Sequence, residues 1–189
     1  MKIQRIARQL ASSDGSEIAE VALVLPIVFM LLLGIVWFGR AFNIYSTIQQ
    51  AAQQGAITAA RSTCATCGNA PAANGSVTTC PETGTAGTVA YAVATVMCAS
   101  SIDPTQIPTN INPPTPLSCV NPTTPATCTT ASHITICQQA LLNSAATTPP
   151  SQCGVIVSFQ YPFSFYLPFT SLNLQQITLS AQAQSRMEN

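Results

Sequence analysis

Charge is what this sequence has least of. Asp, Glu, Lys and Arg make up 6% of its 189 residues, against roughly 25% in an ordinary soluble domain. No Lys or Arg occurs between Arg61 and Arg186, so no basic patch is available for a nucleic-acid backbone and no nucleic-acid partner is expected. Histidine occurs once, at His133, too few for a histidine metal cluster, and no Ser-His-Asp set is visible. There is no Gly-rich phosphate loop and no acidic metal cluster, and Glu82 and Asp103 stand isolated in sequence. These absences point to a non-enzymatic chain without a cofactor or bound metal.

What the chain has in quantity is one long apolar run. From Val21 to Gly39 there are nineteen consecutive uncharged residues, mostly Val, Leu, Ile, Phe and Met, about the length a helix needs to cross ~30 Å of hydrocarbon. The rest of the chain is too small to bury such a helix. Lys2, Arg5 and Arg8 precede the run, and the excess of cations on that side predicts N-in, C-out topology with membrane lipid as the first partner. Pro26 removes one backbone hydrogen bond and is expected to kink or loosen the span.

The residues just before the run are more specific. In Ser12-Ser13-Asp14-Gly15-Ser16-Glu17-Ile18-Ala19-Glu20 a glycine precedes a possible new N-terminus, and a glutamate stands at the fifth position after it. The segment resembles a prepilin-type signal, cut by prepilin peptidase on the cytoplasmic side so that the apolar helix is retained. A carboxylate at the edge of hydrocarbon is costly unless paired. The resemblance implies that the partner of Glu20 is the freed amine of Ser16 on a neighbouring subunit. Removing residues 1–15 leaves three basic and five acidic side chains, net −2.

Beyond the leader, Leu23-Val24-Leu25-Pro26, Leu31-Leu32-Leu33-Gly34-Ile35, Phe38-Gly39-Arg40, Gln53-Gln54-Gly55-Ala56 and Ala59-Ala60-Arg61 are similar to the TadE-like family, pseudopilin-like proteins of tight-adherence (Flp) pilus systems. The similarity covers roughly residues 15–61, with a weaker one over 153–188 ending in Arg186-Met187-Glu188. Val21 stands where pilins of this system commonly have an aromatic residue, and Trp37 where the family often has an acidic one. The resemblance implies a structural subunit of a pilus or its assembly apparatus, partnered by other pilin or assembly subunits or by itself. It further implies a single-pass place in the inner membrane, with the C-terminal part periplasmic or extracellular. Major subunits of such pili are typically much smaller, which favours a minor role.

Periodicity extends the helix past the membrane. Phe38, Ala41, Tyr45, Ile48, Ala52, Gly55 and Ala59 follow helical spacing, with Asn43, Gln49, Gln50, Gln53 and Gln54 mainly off that seam, an amphipathic pattern. Its small residues suit close packing against either the chain's own globule or another subunit. The expected organisation is a leader (1–15), a transmembrane and stalk helix (16–62) and an exported disulfide-rich domain (63–189).

The exported part reads as α+β, with a small antiparallel sheet packed on the stalk. Prolines at 104, 108, 113, 114, 116, 122 and 125 break it into loops. Residues 86–99 suggest one short helix; 133–137, 155–161 and 177–184 suggest strands, the last two by alternation. Eight cysteines, Cys64, Cys67, Cys80, Cys98, Cys119, Cys128, Cys137 and Cys153, all lie beyond the apolar run. Their even number suggests disulfides formed in an oxidising compartment, in any of 105 connectivities. Cys64-Ala65-Thr66-Cys67 has dithiol spacing, but the end of a helix disfavours a thiolate, so a structural disulfide is the better reading. His133 with Cys128 and Cys137 makes only a weak zinc set beside oxidation of the same thiols. Asn74-Gly75-Ser76 matches a glycosylation acceptor but reads more simply as a turn.

Two functional expectations result. One is the processed pilin-like structural subunit. The other is a membrane-anchored envelope module that never polymerises and whose disulfide-rich loops bind a surface, a glycan or an envelope partner.

Overall fold

A computed structural model describes residues 13–61, 80, 87–109, 112–143, 152–164 and 176–187, with side chains from residue 18 onward. It contains helix α1 (Ser13–Arg61), helix α2 (Val89–Ala99), a 3₁₀ turn (Pro104–Gln106) and strands β1 (Cys128–Ala131), β2 (Ile134–Leu141), β3 (Cys153–Phe163) and β4 (Ile177–Arg186). The architecture is α+β, as the sequence suggests. Two compact units divide it, one ending at Phe42 and one beginning at Asn43.

Helix α1 runs through Pro26 without interruption. In the first unit its side chains are almost all exposed. In the second, one stripe is buried: Thr47, Ile48, Ala51, Ala52, Ala56 and Ala59, with Ile44 partly buried against the same core. This stripe follows the 3.6-residue repeat, so the expected seam holds at Ile48, Ala52, Gly55 and Ala59 and fails at Phe38 and Tyr45, which are exposed. The Tyr45 hydroxyl instead accepts a 3.3 Å hydrogen bond from Gln49 Nε2. The buried positions are small because two other elements approach there. A Cβ on Gly55 would lie 3.0 Å from Val93 Cγ2 and 3.3 Å from both Val89 Cγ1 and Val157 Cγ1.

Helix α2 begins three residues later than the apolar pattern suggests. Gly87 has φ +90°, a left-handed turn open to glycine. Thr88 is the N-cap, its hydroxyl accepting from Tyr91 N–H at 3.2 Å. Val89, Ala90, Val93, Ala94 and Met97 are then buried.

The strands form one antiparallel meander in the order β1-β2-β3-β4. Alternation along β3 serves two faces. Val155, Val157, Phe159 and Tyr161 join Ile134, Ile136, Ala181 and Ala183 with the buried stripe of α1 and the apolar side of α2 in one core. Each large apolar side chain so buried stabilises by about 1.5–3 kcal/mol. The other face carries a smaller cluster of Cys137, Ala140 and Ile156, packed by Ala126 and Leu142. The segment 112–127 lies over that face: Leu117 and Pro125 pair across it, Ser118 pairs with Ala140, and Leu141 N–H donates to the Leu117 carbonyl at 2.8 Å.

Strand β1 lacks an apolar alternation and is not expected from sequence. It exists because Ser132 and His133, with φ 50° and 66°, make the two-residue left-handed turn that matches strand twist. The turn is held by His133, whose Nδ1 lies 2.6 Å from the Ile107 carbonyl oxygen. A carbonyl only accepts, so Nδ1 carries the proton.

Candidate functional site

The most unusual surface is the first part of α1. Ile18, Met30, Phe38 and Phe42 are each more than 70% exposed, and nearly every large apolar side chain between them is exposed as well. A monomeric soluble protein rarely leaves so long an apolar surface uncovered. By length and composition the helix can cross a membrane, and no residue of its most apolar stretch is buried. Near its far end the Arg40 guanidinium lies over the Trp37 ring, 5.8 Å from the centroid. An amphipathic ring beside a cation is a common pairing at a membrane interface.

Gly15 and Ser16 lie in the first turn of α1, whose assignment starts at Ser13. Glu20 follows one turn after Ser16, its side chain exposed. At helical spacing it shares a stripe with Val24 and Val28, so a carboxylate heads an otherwise apolar face. These three residues are together by chain position alone, and no other element is needed to assemble them.

Six of the cysteines are joined in three disulfides: Cys80–Cys98, Cys119–Cys153 and Cys128–Cys137. Their Cα atoms are 5.5, 5.6 and 4.0 Å apart respectively. Cys64 and Cys67 lie outside the described residues. Two of the bridges tie a residue outside the regular elements to a helix or strand, and the third joins two strands. Cys98 is on α2, Cys153 opens β3, and Cys128 faces Cys137 in the β1–β2 register. The last bridge consumes both thiols of the weak zinc set, so His133 has no thiolate partner there. Among the described residues no three His, Cys, Asp or Glu side chains gather as a metal site.

Charge is equally sparse in three dimensions. Asp103 caps the 3₁₀ turn, accepting from Thr105 Oγ1 at 2.7 Å and Thr105 N–H at 2.9 Å. These bonds, the hydroxyl first, hold its carboxyl below the usual carboxylate range. It is exposed and structural, and among the described residues no second acid lies beside it to form a catalytic pair.

Sequence reasoning missed a polar cavity of about 270 Å³ on the sheet face opposite α1. Ser158, Gln160, Ser180 and Gln182 line it from adjacent strands, with Asn112 and Pro114 from the overlying loop. The signal was present in the polar partners of the β3 and β4 alternation, which reads simply as a solvated face until a loop is found covering it.

No curated protein and no solved structure matches the chain. The family model described as TadE-like protein matches residues 15–56. That segment holds Gly15, Glu20, the whole exposed apolar stretch and the start of the buried stripe. Over this N-terminal segment the chain is similar to the TadE-like family, whose members are associated with Tad pili.

Proposed function

We propose that the chain is a pilin-like structural subunit of a Tad pilus or of its assembly apparatus, in a minor rather than a major position. Prepilin peptidase cuts after Gly15, the mature chain begins at Ser16, and the exposed half of α1 holds it in the inner membrane until it joins its neighbours. The N-terminus faces the cytoplasm and the sheet-bearing part is exported, where its disulfides form. The observation that carries this reading is the exposed apolar helix headed by Glu20, within the family match.

The chemistry explains why both parts are needed. An exposed helix of this length is stable in only two settings, a bilayer or a bundle of similar helices. Glu20 enters either one at a cost unless a cation meets it. The amine released at Ser16 supplies that cation from a neighbouring chain, so cleavage and assembly are coupled by a single ion pair. The domains then follow the chemistry, with 1–15 discarded, 16–62 as membrane and stalk helix, and 63–189 exported.

Intact mass of the protein purified from cells with an active prepilin peptidase tests this. The expected product begins at Ser16. A product that still begins at Met1 would sink the processed-subunit reading and leave a membrane-anchored envelope module in its place. Glu20→Ala is expected to leave processing intact and to abolish co-purification with other pilus subunits.

A further inference from the structure

The cavity on the outer face of the sheet has a lining unlike the rest of the molecule. In the β3–β4 register Ser158 faces Gln182 and Gln160 faces Ser180. The first row continues through Thr135, paired with Ser158, to Thr130, whose hydroxyl lies 3.1 Å from that of Thr135. Hydroxyls and amides therefore cross all four strands on one face. The segment carrying Asn112 and Pro114 closes over them, with the Pro114 carbonyl oxygen 3.6 Å from Cys137 Sγ.

Gln160 is the second observation. Its Oε1 is buried and has no hydrogen-bond partner, alone among the buried side-chain polar atoms of the described residues. A buried acceptor without a donor is costly, and native proteins retain few. The terminal torsion of glutamine is soft and roughly two-fold, so a half-turn about it exchanges the oxygen and the NH₂ group facing a molecule in the cavity.

We propose that this cavity is a binding site for a single neutral sugar residue. Every polar group lining it is uncharged: hydroxyls that both donate and accept, and amides that offer one of each. Sugar hydroxyls have the same dual character, whereas an ionised phosphate, carboxylate or amine entering here would lose hydration with no opposite charge to meet it. The Pro114 ring supplies an apolar surface for the C–H face of a pyranose. A volume of about 270 Å³ is below the ~300–1,000 Å³ of drug-sized sites, which suits one ring rather than a long oligosaccharide. A peptide strand fits poorly, because the lining consists of side chains on a sheet face rather than an unpaired backbone edge.

The site is independent of polymerisation, so it is tested on the full chain in lipid nanodiscs, free of glycoside detergents. Saturation-transfer NMR and titration with the methyl glycosides of glucose, galactose and mannose are expected to show saturable binding of at least one. A methyl glycoside of sialic acid serves as the charged control and is expected not to bind. Gln160→Leu removes the orphan acceptor at similar volume, and should weaken binding at least tenfold while leaving the melting temperature unchanged or higher. Gln182→Ala, at an exposed position, should weaken binding several-fold and decides the matter if the first variant does not fold. Absence of binding by all three neutral glycosides, binding of the charged control as tight as theirs, or wild-type affinity in both variants would overturn the proposal. None of these results bears on the cleavage after Gly15, which intact mass reads separately.

Discussion

Gly55 of α1 and Val93 of α2 meet so closely that a Cβ on the glycine would stand 3.0 Å from the valine Cγ2. Val89 and Val157 close the other sides, and all three valines are fully buried. Because β-branched side chains are stiff, the space cannot open by a simple rotation. Gly55→Ala gains about 1 kcal/mol of helix propensity against an overpacking cost of ~1–3 kcal/mol, for a net loss of about 1 kcal/mol. Gly55→Val lacks most of the compensation and should lose about 2–3 kcal/mol. Thermal unfolding followed by circular dichroism ranks them, and a Gly55→Val variant as stable as wild type would contradict the packing described.

Gly154 presents a harder case. Opposite Arg186 in the β3–β4 ladder, its added Cβ would meet the Ser185 carbonyl oxygen and come within 2.9 Å of Leu142 Cγ. Backbone gives way less readily than a side chain. Gly154→Ala should therefore destabilise by at least the ~1–3 kcal/mol typical of overpacking, and more than Gly55→Ala in the same melting experiment.

Elements with a strong period were legible in the sequence, and elements fixed by single contacts were not. The apolar run, the stripe through Ile48, Ala52, Gly55 and Ala59, and strands β3 and β4 follow from spacing alone. Strand β1 was hidden because it is largely exposed and carries no apolar alternation; it depends on a left-handed turn at Ser132-His133 and on the bond from His133 to Ile107. The cystine partners were hidden for a related reason, since pairing is a fact of the folded register. At the candidate site, the leader pattern of Gly15, Ser16 and Glu20 is a local sequence property and reads directly. The polar cavity needs two strands and a loop brought together, and none of its residues is unusual by itself.

The three disulfides close loops of unequal size, and their removal should rank accordingly. Sequence separations are 34 for Cys119–Cys153, 18 for Cys80–Cys98 and 9 for Cys128–Cys137. Loop-closure entropy gives about 3.8, 3.2 and 2.6 kcal/mol respectively. The smallest loop is nested within the largest, so its bridge constrains the unfolded chain least while Cys119–Cys153 is intact. Paired Cys→Ser variants in a melting series should follow that order. Peptide mapping under non-reducing conditions checks the three pairings themselves.

Asp103 makes acid sensitivity local. Its folded pKa is depressed by the Thr105 hydroxyl and N–H bonds, so its contribution is present above the unfolded carboxylate pKa of about 3.9. That contribution is lost as pH falls through the lower folded value. The group is exposed, so the effect on global stability is small. Carboxyl chemical shifts in an NMR titration should place its midpoint below that of an ordinary aspartate, and Thr105→Val should move the midpoint up. A midpoint at or above the ordinary value would show that the cap does not form.

Trp37 is the only tryptophan in the chain, which makes it a reporter for the depth of α1 in a bilayer. If the apolar run spans the hydrocarbon from about Val21, then Trp37 and the Arg40 stacked on it lie where the helix leaves it. Aromatic rings and long cations concentrate at that level because each has an apolar body and a polar end. In vesicles, Trp37 emission should be quenched more strongly by lipids labelled near the headgroup than by lipids labelled at the chain terminus. Arg40→Leu should shift that balance toward the deep label, as the helix loses the cation that holds its end at the surface. Equal quenching by both labels, unaltered in Arg40→Leu, would place the membrane segment elsewhere along α1.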